Sequence, residues 1–221
     1  MLLLEAGPRI LTAFPDGLAA YAQTKLKKLG VTVRTHCPVE RIEDGAISAA
    51  GETVGVGLAI WAAGVTASPL GSLLGVPTDR AGRIPVTREL SVPGLKDIYV
   101  LGDLALTPDE HGNPLPGLAQ VAKQEGVYLG RALAKGMLYG TAPKPFVFHN
   151  RGNTAIIGRH AAVFDFGWWR IKGVLAWGFW ALIHVYLLVG FEHRLMVAIQ
   201  WLWRYLTYER GARLIAENVE A

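Results

Sequence analysis

Nineteen consecutive residues, Gly173 to Phe191, contain no Asp, Glu, Lys or Arg. At about 1.5 Å of rise per residue such a helix would reach roughly 28 Å, close to the hydrocarbon thickness of a bilayer. A segment of this kind must be buried in a core, cross a membrane or lie along one. Arg170 and Lys172 precede it, His184 and two glycines interrupt it, and the residues that follow alternate Trp201 and Trp203 with Arg194, Arg204 and Arg210. Interfacial helices combine aromatic rings with snorkelling cations in this way. The reading adopted is a helical segment from Trp168 onward that lies on the membrane surface, with transmembrane insertion as the alternative. Trp168, Trp169, Trp177, Trp180, Trp201 and Trp203 are the expected membrane-contacting aromatics.

Before about residue 165 the pattern is that of a folded α/β protein. Met1 to Leu4 form an apolar run that ends at Glu5 and turns at Gly7-Pro8. Pro15-Asp16 then open an amphipathic helix with Leu18, Ala22, Leu26 and Leu29 on one face, stopped by Gly30, and Val31 to Arg34 form the next strand. Strand, helix, strand is the signature of an open parallel sheet, which binds nucleotides at the carboxyl ends of its strands. Short strands at 39–42, 46–48 and 53–56, separated by Asp44-Gly45 and Gly51, predict an antiparallel meander. Residues 57–63 and 97–101 predict buried strands, 117–138 a helix, and 146–165 three further short strands.

A sequence pI near 9.3 raises the question of nucleic acid, but the basic residues are scattered and no run tracks a phosphate backbone. Attraction to anionic lipid head groups accounts better for the charge. The single Cys37 leaves no internal disulfide and no cysteine pair for redox chemistry. The six histidines show no metal-ligand spacing, so no metal site is expected. Asp109-Glu110-His111, in a Gly/Pro-rich loop, reads as solvated.

Three short motifs carry chemistry. Glu5 stands at a strand end, where an acid can accept from ribose hydroxyls and would repel a 2′-phosphate. Asp97 to Asp103 (DIYVLGD) combines an apolar strand with a glycine that admits a ligand close to the backbone and a carboxylate at the tip. Pro116 to Gly126 (PGLAQVAKQEG) places Gln120 and Gln124 four apart on one face near a helix N-terminus. That terminus carries partial positive charge, suited to an electron-rich ring.

Taken together, DIYVLGD at 97–103, AQVAKQ at 119–124, RGNTAIIG at 151–158, HVYLLVG at 184–190 and TYERGARLI at 207–215 resemble the type II NADH:quinone oxidoreductases, two-dinucleotide-binding flavoproteins of the respiratory chain. The resemblance implies FAD and NADH as cofactors, with hydride passing from NADH to FAD and electrons onward to a membrane quinone. It implies that Gly102, Asp103, Ala119, Gln120 and Arg151 bind FAD, Asp103 at the ribityl chain. Arg151 stands where many relatives have Lys. It places Glu5, Ala63 and Gly64 at NADH, and Gln120 and Gln124 at the quinone. No residue is singled out as catalytic.

The expected fold class is α/β, comprising parts of two Rossmann-like dinucleotide-binding domains followed by a C-terminal β/α membrane-binding region. Residues 1–65 are read as part of the NADH-binding domain, 66–142 as part of the FAD-binding domain, and 143–221 as C-terminal strands and membrane-associating helices. Neither of the family's two G-x-G-x-x-G loops is present in this sequence. The chain is therefore expected to need a missing N-terminal half and to be inactive alone. Its other expected partners are a quinone and the bilayer surface, with a second copy of the chain left open, and its expected location is peripheral, on the cytoplasmic face of the cell membrane. Two alternatives stand beside this reading. One is a membrane adaptor without activity; the other is a sulfide:quinone oxidoreductase relative, against which the lone Cys37 argues.

Overall fold

Leu2–Leu4 (β1) and Thr32–Arg34 (β2) pair in parallel, Leu2 opposite Thr32 and Leu4 opposite Arg34, and Asp16–Lys28 (α1) connects them. Helix α1 has Asp16 in its first turn and Lys25, Lys27 and Lys28 in its last, which complements the helix dipole. Gly30, at φ +80, ends it: Gly30 N donates to Lys27 O and Val31 N to Leu26 O, both at 3.0 Å, a Schellman closure. The parallel strand–helix–strand unit expected from the sequence is therefore present. The meander follows as Val39–Glu43 (β3), Ala46–Ala49 (β4) and Glu52–Gly55 (β5), all antiparallel. Ala50 and Gly51, both at positive φ, form the two-residue turn between the last two strands.

The computed structural model describes residues 1–187 and 191–207. The sequence resemblance at Leu188 to Gly190 and at Tyr208 to Ile215 lies outside them. The chain divides into two compact units, one of Met1–Gly57 with Gly152 onward, the other of Leu58–Arg151.

The core of the first unit is a strand between two helices. Asn153–Gly158 (β8), Ala161–Asp165 (β9) and Arg170–Gly173 (β10) form an antiparallel sheet with β9 in the centre. Val163 packs with Phe14 and Leu18 on the α1 side, while Ala162 and Phe164 pack with Ala176 of Val174–Leu187 (α4). Both faces of β9 are covered, so Ala161 to Phe164 form an unbroken apolar run instead of alternating. Gly152 makes the entry to β8 at φ +91, where a Cβ would come within 2.6 Å of Asp165 O.

Phe191–Thr207 (α5) packs on α4 through Trp180, His184 and Trp201, whose rings stack at 5.2–5.4 Å between centroids. The far end of α5 is tied to the β8–β9 turn. Arg159 Nη2 donates to Tyr205 O at 2.7 Å, and His160 Nε2 lies 2.7 Å from Tyr205 Oη. Among the described residues no helix is long and apolar enough to cross a membrane.

In the second unit Leu70–Leu73 (α2) is a single turn, Ile84–Pro85 (β6) pairs in parallel with Ala105–Leu106 (β7), and Ala119–Tyr139 (α3) is the one long helix among its described residues. Ile84, Val86, Leu90, Val92, Val100, Ala105 and Leu129 form its core.

Three sequence expectations change. Residues 57–63 form no strand, and Leu58, Ile60 and Trp61 are 63–79% exposed, because no described strand lies alongside to pair with them. Residues 97–101 make only the isolated bridge between Ser91 and Tyr99, with Val92 N donating to Ile98 O and Val100 N to Leu90 O. The chain after Trp168 is not wholly helical: Arg170–Gly173 extends along the open edge of β9, and Gly173 at φ +84 turns it into α4. Of the three strands expected within 146–165, two form there and β10 is the third.

Candidate functional site

Asp103 stands in a single 3-10 turn, Gly102–Leu104, that feeds into β7. Gly102 holds φ +69, a conformation that favours glycine. Its N–H is directed inward and donates to Glu125 Oε2 at 2.6 Å, while the Thr107 hydroxyl donates to Glu125 Oε1 at 2.7 Å. Glu125 is 1% exposed and Thr107 2%, so this bond pair satisfies a carboxyl that would be costly to bury alone. The exposed Asp103 carboxylate lies over Gly117, where an added Cβ would come within 3.5 Å of Asp103 Oδ1.

Immediately beyond, α3 begins. Leu118 at its N-cap makes no side-chain cap and the first turn has no acid, so nothing in those side chains offsets the positive end of the helix dipole. Gln120 Oε1 accepts from Arg151 N at 3.1 Å. One turn on, Gln124 bonds the backbone of His149 twice: its Oε1 accepts from His149 N and its Nε2 donates to His149 O, each at 3.0 Å. The structure thus brings together Gly102, Asp103, Ala119, Gln120, Gln124 and Arg151 in the second unit. Ala63 and Gly64 belong to the same unit but lie in the exposed segment after residue 57.

Glu5 belongs to the first unit, at the end of β1. Its Oε1 accepts from Gly7 N at 2.7 Å, which folds the loop back on the strand tip. The next cation in that loop, Arg9, is engaged: its guanidinium donates to Leu11 O, Thr12 O and Phe14 O at 2.8–3.1 Å and lies 3.3 Å from Asp16.

Of the expected membrane aromatics, Trp168 and Trp203 are 87% and 60% exposed and Trp169 is 42% exposed. Trp177, Trp180 and Trp201 are half-buried, Trp177 against His160 and Tyr205 and the other two between the helices. Leu175, Phe179, Leu182, Leu202 and Leu206 add to the exposed apolar surface of the pair.

Asp109 organises its loop. Partial desolvation works against its charge, but N–H donations from Asn113 and His111 outweigh it and hold the carboxyl below the usual range. The Asp79 carboxyl is also held below its usual range, first by the Arg83 backbone N–H, against some desolvation, and then by the Arg83 guanidinium and the Ala81 N–H. Sequence reading gave no role to Glu125 or Thr107; their partners are 18 to 23 residues distant, and no local pattern marks them.

The chain belongs to the pyridine nucleotide-disulphide oxidoreductase family, which it matches over residues 1–126. Its resemblance to type II NADH:quinone oxidoreductases extends along nearly its full length. It is 32% identical to the type II NADH:quinone oxidoreductase NdhA of Mycobacterium tuberculosis, over 99% of this chain and 48% of that protein. It is 33% identical to the internal alternative NAD(P)H-ubiquinone oxidoreductase A1, mitochondrial, of Solanum tuberosum, over 90% of this chain and 43% of that protein. The chain therefore spans about half the length of the curated relatives it matches. NDH2 of Plasmodium falciparum, solved in complex with NADH, shares the fold at a TM-score of 0.82 and 18% identity, over 92% of this chain and 57% of that one.

Proposed function

We propose that this chain forms the flavin- and quinone-facing part of a membrane-associated NADH:quinone oxidoreductase. The observation that carries it is the exposed Asp103 carboxylate beside Gly117 at the uncapped start of α3, in a chain similar to type II NADH:quinone oxidoreductases over nearly its whole length. These residues fit FAD: an acceptor for ribityl hydroxyls, two glycines that leave the backbone open, and a helix terminus for an electron-rich ring edge. FAD, when bound, supplies hydride acceptance from NADH and electron delivery to a quinone.

The chain's own groups bind and orient. Asp103, Gly102, Ala119, Gln120 and Arg151 hold the flavin; Arg151, its backbone tied to Gln120, offers a cation to reduced-flavin charge. Gln120 and Gln124 form the wall of the quinone site, Gln124 while fixed to His149. Glu5 receives NADH, the ligand that the resemblance also assigns to Ala63 and Gly64. Its carboxylate accepts from ribose hydroxyls, and engagement of Arg9 elsewhere leaves a 2′-phosphate without that cation, which supports NADH over NADPH.

In this reading residues 1–65 serve the NADH-binding domain, 66–142 the FAD-binding domain, and 143–221 the membrane. The exposed apolar residues of α4 and α5, with Trp168 and Trp203, dock peripherally on the cytoplasmic face.

The test is flavin absorbance of the purified chain, alone and assembled with the N-terminal half of a relative, followed by NADH-driven reduction of a soluble quinone. A yellow, active assembly is expected. A colourless assembly would sink the flavin assignment of Asp103.

A further inference from the structure

Thr107 and Glu125 are the buried polar residues among those described, and they bond each other. Glu125 also takes the N–H of Gly102, so one carboxyl joins both ends of the 102–107 segment to α3. Beyond burial of Ala105 in the core and the Leu115 N–H donated to Thr107 O, that segment has little else to fix it. Its turn is one 3-10 cycle and its strand is two residues long, paired only with Ile84–Pro85. Gly102, being glycine, has more backbone freedom than any other residue type.

We propose that Glu125 is the positioning residue for flavin binding: by accepting from Gly102 N–H and Thr107 O–H it sets where the Asp103 carboxylate sits relative to Gly117 and the start of α3. The inference rests on the proposed function, because the group positioned is the proposed ribityl acceptor. A purely space-filling role would not need two acceptor atoms. Gly102 N can only donate, and the Thr107 hydroxyl here donates as well, so a carboxyl serves both where an apolar side chain serves neither. An amide serves both only if Thr107 reverses: Oε1 accepts from Gly102 N while Nε2 donates to Thr107 Oγ1. Glu125→Gln is therefore the conservative rescue, Glu125→Met the volume-matched loss of both bonds, and Thr107→Val the loss of one.

Two readouts test this. The first is amide hydrogen exchange of residues 102–107 in the purified chain, with β8–β10 as internal reference. The second is FAD titration of the chain assembled with the N-terminal half of a relative, recording affinity and the shape of the visible flavin band. Glu125→Met should speed exchange at 102–107 and weaken FAD binding, each by about tenfold or more, and alter the band, with β8–β10 unchanged. Glu125→Gln should stay close to wild type in all three, and Thr107→Val should fall between.

Wild-type FAD affinity in Glu125→Met, or equal losses in Glu125→Gln and Glu125→Met, would overturn the proposal. Should Glu125→Met fail to fold, Thr107→Val decides it, and wild-type exchange and affinity there would likewise overturn it. If the wild-type assembly takes up no FAD, the proposed function fails by itself. Exchange then decides whether Glu125 fixes the turn, and unchanged exchange at 102–107 counts against it.

Discussion

The two units solve the problem of holding a chain in register by different means. In the first, β9 lies between two paired strands and two helices, and backbone ladders with apolar burial do the work. In the second, the strands are two residues long, and an apolar core is supplemented by polar side chains that reach distant backbone groups. Glu125 reaches Gly102, Gln124 reaches His149, Gln120 reaches Arg151, and the Tyr128 hydroxyl donates to Lys144 O at 2.6 Å. In the unit that carries the candidate site, directional bonds thus take the place that backbone ladders hold in the other. Such bonds place atoms well, but each contributes only about 0.5–1.5 kcal/mol net, so they supply precision more than stability.

The strongest way to break this contrast is Phe164→Ala. Phe164 is 4% exposed and stacks on Phe166 at 4.3 Å, and its loss should cost about 3–5 kcal/mol. Chemical denaturation with segment-resolved hydrogen exchange should show β8–β10 losing protection while 102–107 keeps it; simultaneous loss would merge the two units into one cooperative block.

Gln124→Met sharpens the other side. Removing both bonds to His149 should raise the rate of tryptic cleavage after Arg151 by about tenfold at native conditions. An unchanged rate would mean that the clamp carries no energy. Within the first unit, Trp203→Ala should leave the melting temperature nearly unchanged and reduce sedimentation with anionic vesicles several-fold. Trp180→Ala, which unstacks Trp201 and His184, should lower the melting temperature as well.

The smallest effect belongs to Asp79→Asn. Because the native carboxyl is held below its unfolded value, its contribution is present above the unfolded value of about 3.9 and is lost as pH falls through the lower folded value. Wild type should melt slightly higher than Asp79→Asn at neutral pH, with the gap closing as pH falls below the unfolded value and through the lower folded one. A gap that persists in acid would assign the turn to the Arg83 geometry alone.

Legibility in the sequence followed the range of the interactions. The strand–helix–strand unit, the meander and α3 were readable because periodicity, Gly30 and the turn glycines act within a few residues. Apolar runs at 57–63 and 97–101 looked like buried strands because such runs report a tendency to be covered and say nothing of the neighbour that must do it. The β10 strand was hidden by its basic residues and by the two tryptophans just before it, a composition that points to an interface as readily as to a sheet edge. At the candidate site, Asp103, Gln120 and Gln124 could be named from their motif. That the Gln124 amide is tied to the His149 backbone, and that Glu125 is buried beneath Gly102, depended on pairings 23 to 25 residues apart.

Helix α1, near the start of the chain, rests on β9, which is made only after residue 160. The second unit is thus an insertion within the first, entered at 57–58 and left at 151–152. On the ribosome this reverses the usual order of maturation: the inserted unit can settle as soon as its own residues emerge, whereas Phe14 and Leu18 must wait for Val163. Until then the apolar face of α1 is an open surface for chaperones, and a chain stopped near residue 150 would leave its first fifty-seven residues without their partner strand.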